Sequence, residues 1–168
     1  MKKYILMMLT ISITAYFFSC EKDDICSPDT PTTPSLIVEF YNTDNRTELK
    51  NVTNLVLFAQ GVNDSLPTFN NVSKIKIPLK TNANSTEYSF LWNYNTTTKT
   101  AEKLDTISFN YTKKDVFISR ACGFKTLFYL NAENSIEIEP EKTSWIKGFD
   151  VITSNIENEN NTHVKIYH

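Results

Sequence analysis

The sequence is poor in the residues from which most catalytic and cofactor-binding machinery is built. Its three glycines stand alone at Gly61, Gly123 and Gly148. Phosphate-cradling loops expose runs of backbone N–H groups through closely spaced glycines, so such loops are excluded. A Gly-x-Ser-x-Gly nucleophile elbow is excluded on the same ground. Histidine is scarce too: His163 and His168 are the two present, both late in the chain. His163 reads as a residue flanking a hairpin rather than as a general base. Charge of one sign is also lacking, with 17 basic and 19 acidic side chains and a net charge of −2. No basic field draws a phosphate backbone, so nucleic acid is not an expected partner. Neither internal repeats nor a sustained 3.6-residue period can be found. These absences predict a chain that is not an enzyme and carries no cofactor.

What is present begins with a three-zone N-terminus. Lys2 and Lys3 are followed by an apolar run from Tyr4 to Phe18, then by Ser19-Cys20. That order is a secretory signal peptide over residues 1–19, with Cys20 as the first residue after cleavage. The apolar run is shorter than the ~20 residues a spanning helix needs, and it meets Glu21-Lys22-Asp23-Asp24. A cysteine at the cleavage point predicts a lipoprotein, with the membrane reached through acyl chains on Cys20.

Three cysteines are few, and their count is informative. If Cys20 takes lipid, Cys26 and Cys122 remain. An even remainder in an exported chain predicts a disulfide between them, with two unpaired thiols as the alternative. With two late histidines, these thiols are too few to make a metal site. Cys26 opens a stretch holding three of the six prolines, Pro28, Pro31 and Pro34. Each fixes φ, so residues 20–35 form a lipidated, stiff, extended tether.

From Leu36 to His168 the dominant pattern is alternation with period 2. Strands are predicted at Leu36–Tyr41, Leu55–Phe58, Lys74–Ile77, Glu87–Tyr94, Ile107–Tyr111, Val116–Ile118, Phe124–Leu130, Ile136–Ile138, Trp145–Ile152 and Val164–Tyr167. Pro78 directly after the third marks it as an edge strand. Turn-forming clusters such as Asn42-Thr43-Asp44-Asn45 and Asn82-Ala83-Asn84 separate them. Short strands at roughly 8–12-residue spacing predict an all-β fold over 36–168, an antiparallel immunoglobulin-like β-sandwich, with a small open β-barrel as the alternative. Strand order is not legible at this level.

Two resemblances add to this. Cys20-Glu21-Lys22-Asp23-Asp24 resembles the export signal of Bacteroidota surface lipoproteins, which implies that Lys22, Asp23 and Asp24 direct the protein to the cell exterior. The periplasmic face of the outer membrane is the alternative. The mature chain resembles an uncharacterised family of Flavobacteriia lipoproteins known only as a domain of unknown function. That resemblance is carried by Cys26–Pro34, Leu36–Phe40 and Ala121-Cys122-Gly123-Phe124-Lys125. It implies a compartment, an outer-membrane β-barrel protein as partner, and no mechanism. Asp64-Ser65-Leu66 and Asp105-Thr106-Ile107 resemble the O-glycosylation triplet of such bacteria, which would make Ser65 and Thr106 acceptors.

Two strand patterns admit either a chemical or a purely structural role. Glu137, Glu139 and Glu141 recur every second residue, as a solvated sheet face does. Tyr88, Phe90, Trp92 and Tyr94 share one strand face opposite Glu87, Ser89, Leu91 and Asn93. Burial of that stripe would supply much of a small sandwich's core. Exposed, it would form a flat sugar platform. The leading functional expectation is a non-enzymatic interaction module on the outer membrane. The alternatives are a glycan-binding accessory lipoprotein using the stripe, and a hydrolase with an unrecognised site.

Overall fold

Alternating apolar and polar residues make a strand wherever only one of its faces is to be buried. Lys74 to Ile77 is the simplest case: both lysines are exposed and both isoleucines buried. A computed structural model describes Lys3 and residues 25–62, 65–139 and 144–168. Apart from Lys3, the signal peptide lies outside the described residues, as do Cys20, Lys22, Asp23, Asp24, Asp64 and Glu141.

Ten strands are found among the described residues: β1 Leu36–Tyr41, β2 Val56–Ala59, β3 Lys74–Ile77, β4 Ser85–Trp92, β5 Lys103–Ser119, β6 Gly123–Leu130, β7 Ile136–Ile138, β8 Gly148–Val151, β9 Asn155–Ile156 and β10 Val164–Tyr167. They form two sheets, one ordered β3-β1-β10-β8 and one ordered β2-β4-β5-β6-β9, with β7 also paired to β5. The chain is all-β and its sheets do not close into a barrel, so the sandwich expectation holds and the barrel alternative falls. β3 is an edge strand, as Pro78 indicated.

Three local differences from the sequence reading have physical reasons. The sandwich is not antiparallel throughout, because β1 and β10 run parallel, Val38 opposite Val164 and Tyr41 opposite Tyr167. A parallel pair needs a long crossover, and the whole intervening chain supplies it. Ile107–Tyr111 and Val116–Ile118 belong to one strand, since the polar run Thr112 to Asp115 keeps extended backbone. Finally, Trp145 and Ile146 are buried but lie outside the ladder, and β8 begins at Gly148.

By packing, the chain divides into a smaller unit, the segment up to Thr32 with Val116–Lys125, and a larger one, Thr33–Asp115 with Thr126–His168. The core of the larger unit is filled by Leu36, Val38 and Phe40 from β1, Phe90 from β4, Ile107 and Phe109 from β5, and Phe128 from β6. Two buried tyrosines keep their hydroxyls satisfied: Tyr88 donates to the Pro78 carbonyl at 2.7 Å and Tyr111 to that of Lys80 at 2.8 Å. Burial, reinforced by Tyr111, pushes the Tyr88 phenol up to about 12, so it stays protonated as a donor. His163 is fully buried, and its Nδ1 accepts the Ile37 N–H at 2.9 Å. It therefore ties the start of β1 to the chain entering β10.

Candidate functional site

The smaller unit holds the expected disulfide. Cys26 and Cys122 are bonded, their Cα atoms 4.9 Å apart, across 96 residues of sequence. Cys122 lies in the turn joining β5 to β6, where its N–H donates to Ser119 Oγ at 3.0 Å. Gly123 follows with φ +71°, a backbone that a residue with a Cβ adopts only under strain. The strands flanking this turn display two phenylalanines, Phe117 at 57% and Phe124 at 68% exposure, their rings 5.3 Å apart edge to face. Ile25, beside the bonded Cys26, is also exposed. Arg120 and Ala121 complete the exposed tip. Sequence reasoning passed over both phenylalanines because periodicity tells which face a residue takes, not whether that face is covered.

The aromatic stripe of β4 divides. Tyr88 and Phe90 are core residues, which corrects the four-residue ligand platform: a sugar cannot reach rings the opposite sheet covers. Trp92 and Tyr94 are half-buried. Tyr94 packs edge to face on Phe58, with centroids 6.3 Å apart, beside a shallow polar groove lined by Asn54, Thr68, Asn93 and Asn95. Trp92 stacks on Trp145 at 6.1 Å and carries the Lys103 ammonium over its ring at 5.4 Å.

Trp92 and Trp145 line a cleft of about 240 Å³ in the larger unit, with Lys50, Lys103, Lys147 and His168 among the other walls. Lys50 Nζ donates to the His168 carbonyl at 2.9 Å and Lys147 Nζ to that of Ser144 at 2.5 Å. The His168 ring packs edge-on to Trp145, 5.3 Å between centroids, and burial lowers its pKa from the usual histidine value. The backbone carrying Trp145 is fixed from inside the protein. Asp105 is fully buried, and its Oδ2 accepts the N–H of Trp145 at 2.9 Å and of Ile146 at 3.1 Å. Asp105 Oδ1 has no protein partner among the described residues.

Asp105 also corrects one of the glycosylation triplets. Asp105, Thr106 and Ile107 are all buried, so Thr106 is out of reach of a transferase once the chain has folded. The signal was legible: stepping back by two from Tyr111, Phe109 and Ile107 puts Asp105 on the inner face. Ser65 is exposed. Glu137 and Glu139 are exposed, the solvated face expected of them.

A protein-family model matches residues 54–168, and its description is Family of unknown function (DUF6452). Of the segments that carried the sequence resemblance, Ala121–Lys125 falls within the match, while Cys26–Pro34 and Leu36–Phe40 precede it. Neither the curated proteins nor the solved structures returned a match.

Proposed function

The chain belongs to DUF6452, a family of unknown function, and we propose that it is a lipid-anchored outer-membrane lipoprotein, a non-enzymatic module that docks a β-barrel protein. One observation carries this reading: the unit containing the disulfide-bonded end of the tether also displays Phe117 and Phe124. Without the bond, a tether starting at a lipidated Cys20 would be free as far as Ser35. With it, only the steps from Cys20 to Cys26 stay free, about 20 Å when fully extended. A short leash raises the effective concentration of the hairpin tip at the membrane surface, so even a modest apolar patch is enough to hold a membrane-embedded partner. Exposed adjoining aromatics are the residue type that protein interfaces enrich. Lys22, Asp23 and Asp24 would place the anchor in the outer leaflet.

The test has two arms. Proteinase added to intact cells should digest the wild-type protein and spare a variant carrying Lys22→Ala, Asp23→Ala and Asp24→Ala. The wild-type protein, purified gently from detergent-solubilised envelopes, should bring a β-barrel protein with it, and Phe117→Ser with Phe124→Ser should release that partner. Equal protection of wild type and variant removes surface display. Undiminished capture by the double serine variant removes the hairpin as the docking surface.

A further inference from the structure

The cleft at Trp92 and Trp145 lies outside the unit used for docking and has its own chemical character. The chain's net charge is −2, yet three of its lysines line this one cavity. The ion pairs among the described residues, Lys74 with Glu39 and Lys76 with Glu159, involve none of the three. Lys50 and Lys147 each spend one N–H on a carbonyl, which leaves further donors on ammonium groups that carry three. Lys103 rests on the face of Trp92, an arrangement that holds a cation in place without neutralising it. The remaining wall is indole, made of Trp92 stacked on Trp145. Asp105 holds the Trp145 backbone through two buried hydrogen bonds, so this wall is preformed and does not have to be assembled by a ligand.

Three lysines lining a cleft with an aromatic wall fit an anion that has an apolar body. A bare inorganic ion would leave the indoles unused, and a neutral ring would leave the three charges uncompensated. The volume, about 240 Å³, sits just below the range of pockets that take drug-sized molecules, so it suits one ring rather than a long chain. Asn51 and Thr53 on the rim offer an amide and a hydroxyl for neutral polar groups. We propose that this cleft is a binding site for a carboxylate-bearing six-membered ring, with Lys50, Lys103 and Lys147 meeting the carboxylate and Trp92 meeting the ring. Two sources share that chemistry, a uronic acid unit of an acidic polysaccharide and a free aromatic acid.

The chain supplies its own reporter, since Trp92 and Trp145 are its two tryptophans and both line the cleft. Intrinsic fluorescence of the purified protein is titrated with trigalacturonate, with benzoate, with neutral trigalactose and with sodium sulfate. A saturable change with trigalacturonate or benzoate, weakened by added salt and absent with trigalactose, is the expected result. Whichever acid binds more tightly identifies the source. Lys103→Gln should weaken binding by about tenfold, the loss of one charge-assisted contact, and replacing all three lysines by Gln should abolish it. The lysines are exposed or half-buried, so thermal melting of these variants should match wild type and separates lost binding from lost folding. The proposal is overturned if trigalactose or sulfate gives the same response as the acids. It is equally overturned if no titrant changes the fluorescence, or if the triple variant binds as wild type does.

Discussion

The two units of this chain are held together by different means. In the larger, two sheets cover one another and the inward rings of Phe40, Phe90, Phe109 and Phe128 are fully buried. The smaller has a disulfide in place of such a core, and its phenylalanines face solvent. A segment as short as 25–32 cannot bury enough apolar surface to offset the entropy of ordering it, so a covalent bond substitutes for packing. Aromatic residues in one chain, on neighbouring stretches of strand, are thus placed in opposite surroundings. Where a second sheet covers them they supply cohesion, and where no described residue covers them they stay exposed to solvent.

The largest loss of stability is expected from the core. Phe90→Ala removes a fully buried ring and should cost about 3–5 kcal/mol, read as a lower denaturation midpoint with an unchanged slope. A loss below about 1 kcal/mol would mean that the two sheets are not cohering through this face.

Next in size is the disulfide. Replacing Cys26 and Cys122 together by serine opens a loop spanning 96 residues and should cost about 2–4 kcal/mol, chiefly by loosening the unfolded chain. The near-ultraviolet circular dichroism of the sandwich should survive, since the core does not include either cysteine. Limited proteolysis should then cut within 25–32. A variant that loses the near-ultraviolet spectrum altogether would show that the larger unit depends on the bond as well.

Much of this was legible from residues alone. The strands at Leu36–Tyr41, Lys74–Ile77, Ile136–Ile138 and Val164–Tyr167 appear at the limits read from the sequence, and Lys74–Ile77 shows the reason most simply: a half-buried strand writes its two faces directly into sequence. The disulfide followed from counting cysteines. What stayed hidden depends on neighbours. Asn155–Ile156 is too short to show any period, and the parallel pairing of β1 with β10 is a matter of the tertiary fold. The lysine-lined cleft collects residues from before β2, from β4, from β5, from before β8 and from after β10, and no local window holds them together. The aromatic stripe was readable as a stripe. Only the fold shows that its first half is core while Trp92, in its second, lines the cleft.

A smaller effect comes from acid, and it sharpens what holds the sandwich at β1. Glu159 accepts the Ser35 N–H at 2.8 Å and pairs with Lys76 at 2.6 Å, and with Lys76 as the larger cause its carboxyl is lowered to about 2. A carboxyl lowered on folding stabilises above its unfolded pKa, and that contribution disappears as pH falls from about 4.5 toward 2. Partial exposure and salt reduce it to about 1 kcal/mol. Burial likewise lowers His163, whose neutral Nδ1 must stay free of a proton to accept from Ile37. Its contribution is present above about 6.5 and is lost as pH falls through the folded value, so both groups make acid destabilising. Denaturation midpoints at pH 7, 5 and 3 should fall in that order, and Glu159→Gln should flatten the last step. An unchanged step from pH 5 to 3 in that variant would assign the acid sensitivity to other carboxylates.

The smallest effect on stability is expected at the hairpin proposed as the docking surface. Phe117 and Phe124 are exposed, and the contact they make is with one another, edge to face at 5.3 Å. Such a ring pair is worth about 0.5–1.5 kcal/mol where it is well desolvated and less in water. Exposed substitutions away from a core lie within about 0.5 kcal/mol, so Phe117→Ser and Phe124→Ser should melt close to wild type, singly and together. Removing two solvent-facing rings should also raise solubility, because exposed apolar patches favour self-association. If the patch exists to be covered by another protein, the double variant combines normal melting with lost capture of the partner. A melting loss approaching that of Phe90→Ala would refute this division, since it would show that these rings are buried in solution and hold the fold together as the sandwich phenylalanines do.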